Sequence, residues 1–382
     1  MKIGLSTSVI QRGKTGVAQY VFALLRALLP YAREHEFHLF VLQEDLPLFE
    51  FVQGAMQVIP VPEKFRPAVK NVAWHQIQLP GLARQRQLDV LHVPSYRRLL
   101  WRKPCALVGT IHDLAPFHLS GKYDWKRMLY GRVIVKRLAH RQDALLAVSE
   151  STAQDLATFF GLGSDRVHLI WNGIDHDRFQ PGDPAAAKAA AAARWQLDRP
   201  FFLYVSRLEH PAKNHVRLIA AFNQFKAQTK SNWLLALGGS DWHGAAAIHA
   251  AAQASPVAAD IRRLGFVDDA ALPELYRATD VFIYPSLFEG FGFPPIEAMA
   301  CGCPVISSTR GALKAVVADA ARTVEPESVA ELTAALGALA GSAAERERWR
   351  AKGFLNARRF DWHRNAAQTL AVYERVVACR KG

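Results

Sequence analysis

The chain has 382 residues, of which 50% are apolar and 21% are charged, and its net charge is +13. This length exceeds what one ordinary hydrophobic core serves and suits two domains of roughly 150 to 200 residues. No apolar run approaches the roughly 18 residues that a membrane-spanning helix needs. Four cysteines are too few for a disulfide scaffold in a chain of this size. The composition therefore predicts a globular protein without membrane spans.

The first residues, MKIGLSTSVIQRGKTG, lack the long apolar core of a signal peptide and are typical of a first strand and loop. Together with the few cysteines, this start favours a reducing compartment. We expect a cytoplasmic protein.

Apolar runs typical of strands alternate with amphipathic helices in the first part of the chain. The runs are KIGLSTSV, FHLFVLQ, LDVLHVPS, CALVGTIHD and ALLAVSE, and the clearest helix is GVAQYVFALLRALLPYA. Strands separated by helices predict a parallel sheet covered on both faces. The series pauses in a proline- and glycine-containing segment whose alanine-rich part predicts a short helix.

A second alternating series follows, with the strand-like runs PFFLYVSR, NWLLALGGS, IRRLGFV, DVFIYPS and PVISS. We therefore predict an α/β fold with two doubly wound, Rossmann-like domains. The expected divisions are residues 1–175, a linker at 176–198, a second domain at 199–360, and a C-terminal helix at 361–382 that returns to the first domain. In such sheets, ligands bind beyond the carboxyl ends of the strands.

The segment EGFGFPPIE carries two carboxylates, Glu289 and Glu297, around glycines and prolines. It follows an apolar strand and precedes a helix, so free backbone amides at the helix start can donate to phosphate oxygens. Carboxylates accept hydrogen bonds from sugar hydroxyls. The segment is suited to a ligand that carries both hydroxyls and phosphates.

Other candidate residues also follow predicted strands. Arg207 and Lys213, in SRLEHPAK, suit a diphosphate because each cation can neutralise a different oxygen. Gly16, in RGKTGVAQY, opens a helix where a phosphate could approach the backbone. His112, in TIHDLAPF, comes directly after an apolar strand-like run. A histidine at the end of a strand is often structural, but this position is also where a ligand would bind. No Cys/His cluster completes a metal site, so no metal is expected.

Residues 84–141 carry 13 Lys and Arg but only three Asp and no Glu. Such a surface could meet nucleic acid, an anionic membrane or a phosphorylated substrate, or be a solvated helix face. No recognised nucleic-acid motif accompanies it, so we expect no nucleic-acid partner.

The ordered series GKTGVAQY, TIHDLAPF, AVSESTAQDL, WNGIDHDRF, SRLEHPAKNHVRLIAAF and LGFVDDAALPELYRATDVFIYPSLFEGFGFPPIEAMACGCPVISS covers nearly the whole chain. It resembles the retaining glycosyltransferases of GT-B fold in family four, which include bacterial mannosyl-, glucosyl- and rhamnosyltransferases. The block with the two glutamates is highly specific to this family, whereas the glycine loop near the start of the chain is much less specific. The resemblance implies a GT-B fold whose two domains face across a donor and acceptor cleft.

The resemblance also implies residue roles. Glu289 would bind hydroxyls of the transferred sugar, Arg207 and Lys213 would hold the diphosphate, and His112 would lie beside the anomeric carbon. The remaining donor-binding residues implied by the resemblance are Gly16, Phe266, Val267, Phe291, Gly292, Phe293 and Glu297. Glu297 would take the ribose hydroxyls, and no metal or other cofactor is implied. The chain departs from the family in GKTG, in the longer Arg207-to-Lys213 spacing, and at Lys314 and Ala315, where a Pro-Glu pair is common.

The implied activity is retaining, metal-independent transfer of a hexose from GDP-mannose or a UDP-sugar to a saccharide acceptor, free or lipid-linked, in the synthesis of surface polysaccharide or glycoconjugate. A lipid-linked acceptor would bring the basic surface to the inner membrane face. Two alternatives remain: a catalytically silent sugar-nucleotide-binding partner of a synthase complex, and a sugar-nucleotide epimerase of the same fold.

Overall fold

The computed structural model describes residues 1–13, 15–118 and 130–381. The chain divides into two compact units, one made of residues 1–173 and 361–382 and the other of residues 174–360. Each unit contains one parallel sheet with helices packed against it.

The first unit holds a seven-stranded sheet in the order β3-β2-β1-β4-β5-β6-β7. Its strands are β1 (Lys2–Ser6), β2 (Glu36–Leu42), β3 (Gln57–Val61), β4 (Val90–Val93), β5 (Ala106–Ile111), β6 (Ala144–Ala147) and β7 (Val167–Leu169). The helices that connect them are α1 (Gly16–Leu28), α2 (Ala68–Ile77), α3 (Leu79–Gln85), α4 (Ala115–His118), α5 (Lys136–Ala139) and α6 (Glu150–Asp155). Neighbouring strands of this sheet are parallel. Each connection returns the chain to the end of the sheet at which the preceding strand began, so that the next strand runs in the same direction.

The second unit holds a six-stranded sheet in the order β10-β9-β8-β11-β12-β13. Its strands are β8 (Phe201–Val205), β9 (Leu234–Gly238), β10 (Ile261–Gly265), β11 (Val281–Tyr284), β12 (Val305–Ser308) and β13 (Arg322–Val324). Its helices are α7 (Pro184–Trp195), α8 (His215–Thr229), α9 (Ala245–Gln253), α10 (Leu272–Ala278), α11 (Phe293–Ala300), α12 (Leu313–Val317), α13 (Val329–Gly341) and α14 (Ala343–Ala357).

The C-terminal helix α15 (Trp362–Lys381) belongs to the first unit and packs on α1. Its Tyr373 is fully buried and forms a 2.6 Å hydrogen bond with Nδ1 of His92 on β4. The last helix thus completes the core of the unit in which the chain begins.

Residues 176–198, which we expected to form a linker, lie within the second unit. The alanine-rich part forms α7, as predicted, and packs on α10. Asp183 caps α7 by accepting a hydrogen bond from the backbone amide of Ala185 at 2.9 Å. This helix is therefore part of the second unit's packing.

Each sheet has one position where the order of strands reverses direction. In the first sheet it lies between β1 and β4, and in the second between β8 and β11. Ligands in doubly wound sheets bind beyond the carboxyl ends of the strands at such a position. Among the described residues, no helix is long and apolar enough to cross a membrane.

Candidate active site

Lys213 and Glu289 meet at the carboxyl edge of the second sheet. Nζ of Lys213 lies 2.5 Å from Oε1 of Glu289, although the two residues are 76 positions apart in the sequence. Their side chains are only 13% and 15% exposed. The sequence singled out both residues, and the structure brings them into one ion pair.

The surroundings of Glu289 keep its carboxylate charged. Burial acts to raise the pKa of Glu289, but the Lys213 ammonium and hydrogen bonds with Lys213, Ser286 and Tyr284 outweigh burial and hold the pKa below its ordinary value. Lys213 is itself fixed, because its backbone carbonyl accepts a 2.6 Å hydrogen bond from the hydroxyl of Tyr204. The site therefore presents an ionised carboxylate beside an ammonium.

Helix α11 begins beside this pair, and its start depends on Gly292. That residue has φ of +101°, and a Cβ there would lie 2.5 Å from Cδ2 of Leu313. Pro294 and Pro295 lie in the first turn, where their missing amide donors cost nothing. Because the two prolines have no amide hydrogen, the backbone donors nearest this helix start are the amides of Gly292 and Phe293. Amides at a helix start can donate to negatively charged oxygens.

Phe291 and Phe293 flank Gly292, with ring centroids 5.0 Å apart. Phe291 is buried and packs edge-on against Phe360 at 5.6 Å. Their packing fixes the backbone that runs into α11, and their expected role in donor binding remains a prediction.

Glu297 lies one turn into α11, away from the Lys213 pair. Its Oε2 accepts a 3.2 Å hydrogen bond from the hydroxyl of Tyr276. Burial raises the pKa of Glu297 to about 7, against the opposing charge of Arg178. Unlike Glu289, this carboxyl changes its protonation near neutral pH.

Arg207 follows β8 and is half exposed, at 52%. Its guanidinium lies 4.9 Å from the ring centroid of Trp242 and 3.4 Å from the carboxylate of Glu209. The loop that carries Arg207 is also tied to the loop of Trp242, because the amide of Leu208 donates to Ser240 at 2.9 Å and the amide of Trp242 donates to Leu208 at 3.2 Å. Arg207 is therefore supported by a neighbouring loop.

Phe266 and Val267 follow β10, the edge strand that lies two positions from β8. Phe266 is 73% exposed, whereas Val267 is buried. Within the part of the chain that the structure describes, no hydrogen bond, ion pair or ring contact joins either residue to the Lys213–Glu289 pair. Their expected meeting with the nucleotide base remains a prediction.

Gly16 and His112 lie in the first unit, at the carboxyl edge of its sheet. Gly16 is the first residue of α1, which Thr15 caps by accepting a 3.2 Å hydrogen bond from the amide of Ala18. No atom lies within 4 Å of where a Gly16 Cβ would stand. Gly16 is exposed, and its expected contact with the donor remains a prediction.

His112 is half-buried and lies edge-on against Tyr20, with ring centroids 4.8 Å apart. Burial lowers the pKa of His112 to about 4, so its imidazole is neutral at pH 7. Its Nε2 donates to the carbonyl of Pro94 at 3.2 Å, which makes Nδ1 a hydrogen-bond acceptor. A neutral imidazole in this state can accept from a sugar hydroxyl.

Sequence reasoning missed the phenol and indole side chains that support these residues: Tyr204, Tyr276, Tyr284 and Trp242. Tyr204 and Tyr284 lie in apolar strands and Tyr276 lies in a short helix, where an aromatic residue is most simply explained as core. Their hydroxyls face carboxylates or carbonyls only after the chain folds. Among residues 1–13, 15–118 and 130–381, no group of three or more His, Cys, Asp and Glu could hold a metal ion.

Two family models match successive parts of the chain. Residues 14–178 match glycosyltransferase family 4, and residues 187–355 match glycosyl transferases group 1. O-antigen chain mannosyltransferase B of Escherichia coli is 27% identical over 98% of this chain and 100% of that protein. Alpha-maltose-1-phosphate synthase of Mycolicibacterium smegmatis is 30% identical over 71% of this chain and 75% of that protein.

The fold also matches solved structures. The Anabaena protein HepE, in complex with UDP and glucose, superposes with a TM-score of 0.76 over 98% of this chain and 99% of HepE, at 19% identity. The two parallel sheets are thus the two Rossmann-like domains of a GT-B fold. With two family models matching in succession and a relative that is 30% identical over three quarters of its length, the chain belongs to the group 1 glycosyltransferases, and its biochemical class is glycosyltransferase.

Proposed function

We propose that this glycosyltransferase moves a hexose from a nucleotide diphosphate sugar to a saccharide acceptor with retention at the anomeric carbon. The observation that carries the proposal is the Lys213–Glu289 ion pair beside the amino end of α11. An ammonium, a carboxylate and a helix start together match a sugar linked to a diphosphate.

In the proposed donor complex, Lys213 keeps one hydrogen bond to Glu289 and directs its other two donors to the diphosphate. Arg207 supplies the second cation, and the backbone amides at the start of α11 donate further hydrogen bonds to the phosphate oxygens. Glu289, held ionised, accepts from hydroxyls of the sugar. These groups can neutralise a leaving diphosphate, so the proposal includes no metal.

Glu297 is proposed to accept hydrogen bonds from the ribose hydroxyls.

The proposed donor sugar is based on the names of similar proteins. The Escherichia coli relative is named a mannosyltransferase, and HepE binds UDP and glucose. We therefore propose GDP-mannose or a UDP-hexose as donor.

The proposed transfer step takes place on one face of the sugar. The bond between the anomeric carbon and the phosphate oxygen breaks as the acceptor oxygen bonds to that carbon. The acceptor proton passes to the departing phosphate oxygen, and the nucleoside diphosphate leaves. Negative charge grows on the diphosphate during this step, so Arg207 and Lys213 stabilise the transition state more than the ground state.

A thermal-shift panel of UDP, GDP and TDP tests donor binding. A ligand that binds the folded state raises the melting temperature. We expect one nucleotide to stabilise the wild type and to lose most of that effect in Glu297→Ala. NMR of the anomeric proton in product formed from the matching sugar donor then reports retention. If no nucleotide diphosphate stabilises the protein, or the product is inverted, the proposal is wrong.

A peripheral membrane position is proposed for the case of a lipid-linked acceptor. In the first unit, Trp101 is 50% exposed and Ile77 is 69% exposed. The amide of Trp101 donates to the side chain of Gln76 at 3.0 Å, which brings it beside the end of α2. Arg102 is exposed, and the Arg141 guanidinium lies 5.1 Å from the Trp101 ring centroid. Apolar and cationic side chains together suit an anionic interface.

Part of the basic segment that suggested this position, residues 119–129, lies outside the described residues. Co-sedimentation with vesicles containing phosphatidylglycerol tests the proposal. We expect binding at low salt that weakens in Trp101→Ala and Arg102→Glu but not in Leu355→Ala, a change at an exposed residue of the other unit. Absence of wild-type binding, or equal binding by all variants, would refute it.

A further inference from the structure

Arg98 is a half-buried cation at the carboxyl edge of the first sheet. It ends the short 3-10 turn Tyr96–Arg98 that follows β4. Its Nε donates to Oδ1 of Asn71 at 2.6 Å, and its Nη1 donates to the carbonyl of Arg97 at 3.3 Å. Both partners are neutral groups.

No carboxylate pairs with Arg98 among the described residues. Burial lowers the pKa of Arg98, and the nearby Arg97 charge lowers it further, while Tyr130 acts in the opposite direction. A guanidinium nevertheless stays protonated in proteins. A half-buried charge without a counter-ion is costly, so such a residue is normally found with an anion.

Asn71, on α2, provides a second hydrogen-bond donor at the same place. The residue is only 2% exposed, and its Nδ2 has no hydrogen-bond partner in the part of the chain that the structure describes. Because Arg98 can only donate, the atom facing it must be the amide oxygen, which identifies Nδ2 as the unpaired atom. Buried polar groups normally have a hydrogen-bond partner in the protein, water or a ligand, so Nδ2 of Asn71 is available to a bound group.

The backbone of Asn71 is tied to the first sheet through His75 on the same helix. The backbone carbonyl of Asn71 accepts a 2.7 Å hydrogen bond from Nδ1 of His75. Nε2 of His75 therefore accepts from the hydroxyl of Ser6, at 3.0 Å, and Ser6 ends β1. This chain of hydrogen bonds ties Arg98 and Asn71 to the point where β1 and β4 meet.

That point is the reversal of strand order in the first sheet, where doubly wound folds bind ligands. His112, the residue expected beside the reacting sugar, bonds to Pro94, four positions before Arg98. Arg98 and Asn71 thus share the ligand-binding edge of the first unit with His112. Their two donors lie on the unit that does not carry the Lys213–Glu289 pair.

We propose that Arg98 and Asn71 bind an anionic oxygen group, a phosphate or a carboxylate, carried by the acceptor. The inference rests on the proposed function and adds the chemical class of the acceptor. The guanidinium supplies charge and Nδ2 supplies a directed hydrogen bond. A neutral saccharide hydroxyl could accept from either donor but would leave the charge of Arg98 without a counter-ion, whereas an anionic oxygen group satisfies both.

Isothermal titration of the full chain tests this, with the donor site saturated by whichever of UDP or GDP stabilises it. The probes are glucose 6-phosphate, glucuronate and geranyl diphosphate, with glucose as the neutral comparison. We expect at least one anionic probe to bind at least about tenfold tighter than glucose, as a charge-assisted hydrogen bond allows. The identity of the probe that binds shows whether the acceptor's anionic group belongs to a sugar phosphate, a uronic acid or a lipid diphosphate.

Two variants remove the site in different ways. Arg98→Gln removes the charge, whereas Asn71→Asp gives Arg98 an internal counter-ion and repels an incoming anion. Both are expected to weaken binding of the anionic probe by about tenfold or more while nucleotide binding is kept. Arg84→Gln, at an exposed residue on α3 of the same unit, should leave both affinities unchanged.

Lys213→Ala separates this inference from the proposed function, since it should lose nucleotide binding and keep the anionic probe. If no nucleotide binds the wild type, the proposed function fails, and the probes are titrated alone. The inference is overturned if no anionic probe binds better than glucose, if Arg98→Gln and Asn71→Asp keep full affinity, or if Arg98→Gln loses the nucleotide instead.

Discussion

The ammonium of Lys213 and the carboxylate of Glu289 lie 2.5 Å apart in a largely buried ion pair of the second unit. Each member neutralises the other, and the buried Tyr204 and Tyr284 lie beside them and form hydrogen bonds with the pair. Binding of a diphosphate would add negative charge next to Lys213 and leave Glu289 to the sugar hydroxyls. Breaking the pair is therefore expected to affect both the stability of the fold and the proposed binding of the donor.

Lys213→Ala is expected to destabilise the fold as well as abolish transfer. It leaves Glu289 buried without a counter-ion, which costs about 3–5 kcal/mol of unfolding free energy. Urea denaturation measures this loss. Adding Glu289→Gln to Lys213→Ala should recover part of the stability and none of the activity.

The matched control for this prediction is Lys188→Ala, which breaks the 2.8 Å pair with Asp280 on the surface of the same unit. The Lys188 side chain is 49% exposed, so its loss should cost about 0–1 kcal/mol. Equal destabilisation by the two substitutions would contradict the assignment of Lys213 to a buried pair.

Gly292→Ala is expected to distort the start of α11 and weaken nucleotide binding. The new Cβ would meet Leu313, and a non-glycine residue at φ of +101° is strained by about 1–3 kcal/mol. A lower melting temperature together with a weaker thermal shift by UDP or GDP would report both effects.

Gly337→Ala provides the comparison, because Gly337 lies inside α13 with no atom within 4 Å of its added Cβ. Alanine should stabilise that helix by about 0.5–1 kcal/mol. If the two substitutions behave alike, the special backbone of Gly292 is not what the site depends on.

The sequence predicted the central strands of both sheets because these are continuous apolar runs buried on two faces. It missed β3, β7 and β13, which are edge strands of their sheets. β7 and β13 have three residues each, and β3 contains Pro60, so none shows the length and apolar pattern that identifies a strand.

The candidate site was predicted residue by residue but not as a set of contacts. Motifs identified Lys213 and Glu289 separately, and only folding brings them together. The pKa values differ between Glu289 and Glu297 because one has an ammonium beside it and the other has mainly burial. Neither pKa shift can be predicted from the local sequence, because the ammonium beside Glu289 and the burial of Glu297 both depend on distant parts of the chain.

Trp242→Ala is expected to weaken diphosphate binding through Arg207. The indole lies 4.9 Å from the guanidinium, a cation–π contact worth about 0.5–1 kcal/mol at an exposed site, or roughly two- to fivefold in affinity. Trp242→Phe should keep most of the affinity because a ring remains. In the Arg207→Ala background, Trp242→Ala should have no further effect, and an additive loss there would contradict the coupling.

Glu297 should make nucleotide binding and stability respond to pH in opposite directions. Burial raises its pKa to about 7, so it gains a proton as the pH falls through that value and loses acceptor capacity for ribose hydroxyls. Affinity for UDP or GDP should therefore improve as the pH rises through about 7.

The folded protein, in contrast, holds this proton at pH values where the unfolded chain has already released it. Its contribution to stability is complete below the ordinary carboxyl pKa and is lost as the pH rises through about 7. Glu297→Gln cannot titrate and should flatten both dependences, as measured by calorimetry and urea denaturation across this range. Glu347→Gln, at a 66% exposed side chain, should change neither. If the pH dependence of nucleotide affinity persists unchanged in Glu297→Gln, another group is responsible and Glu297 does not contact the ribose as proposed.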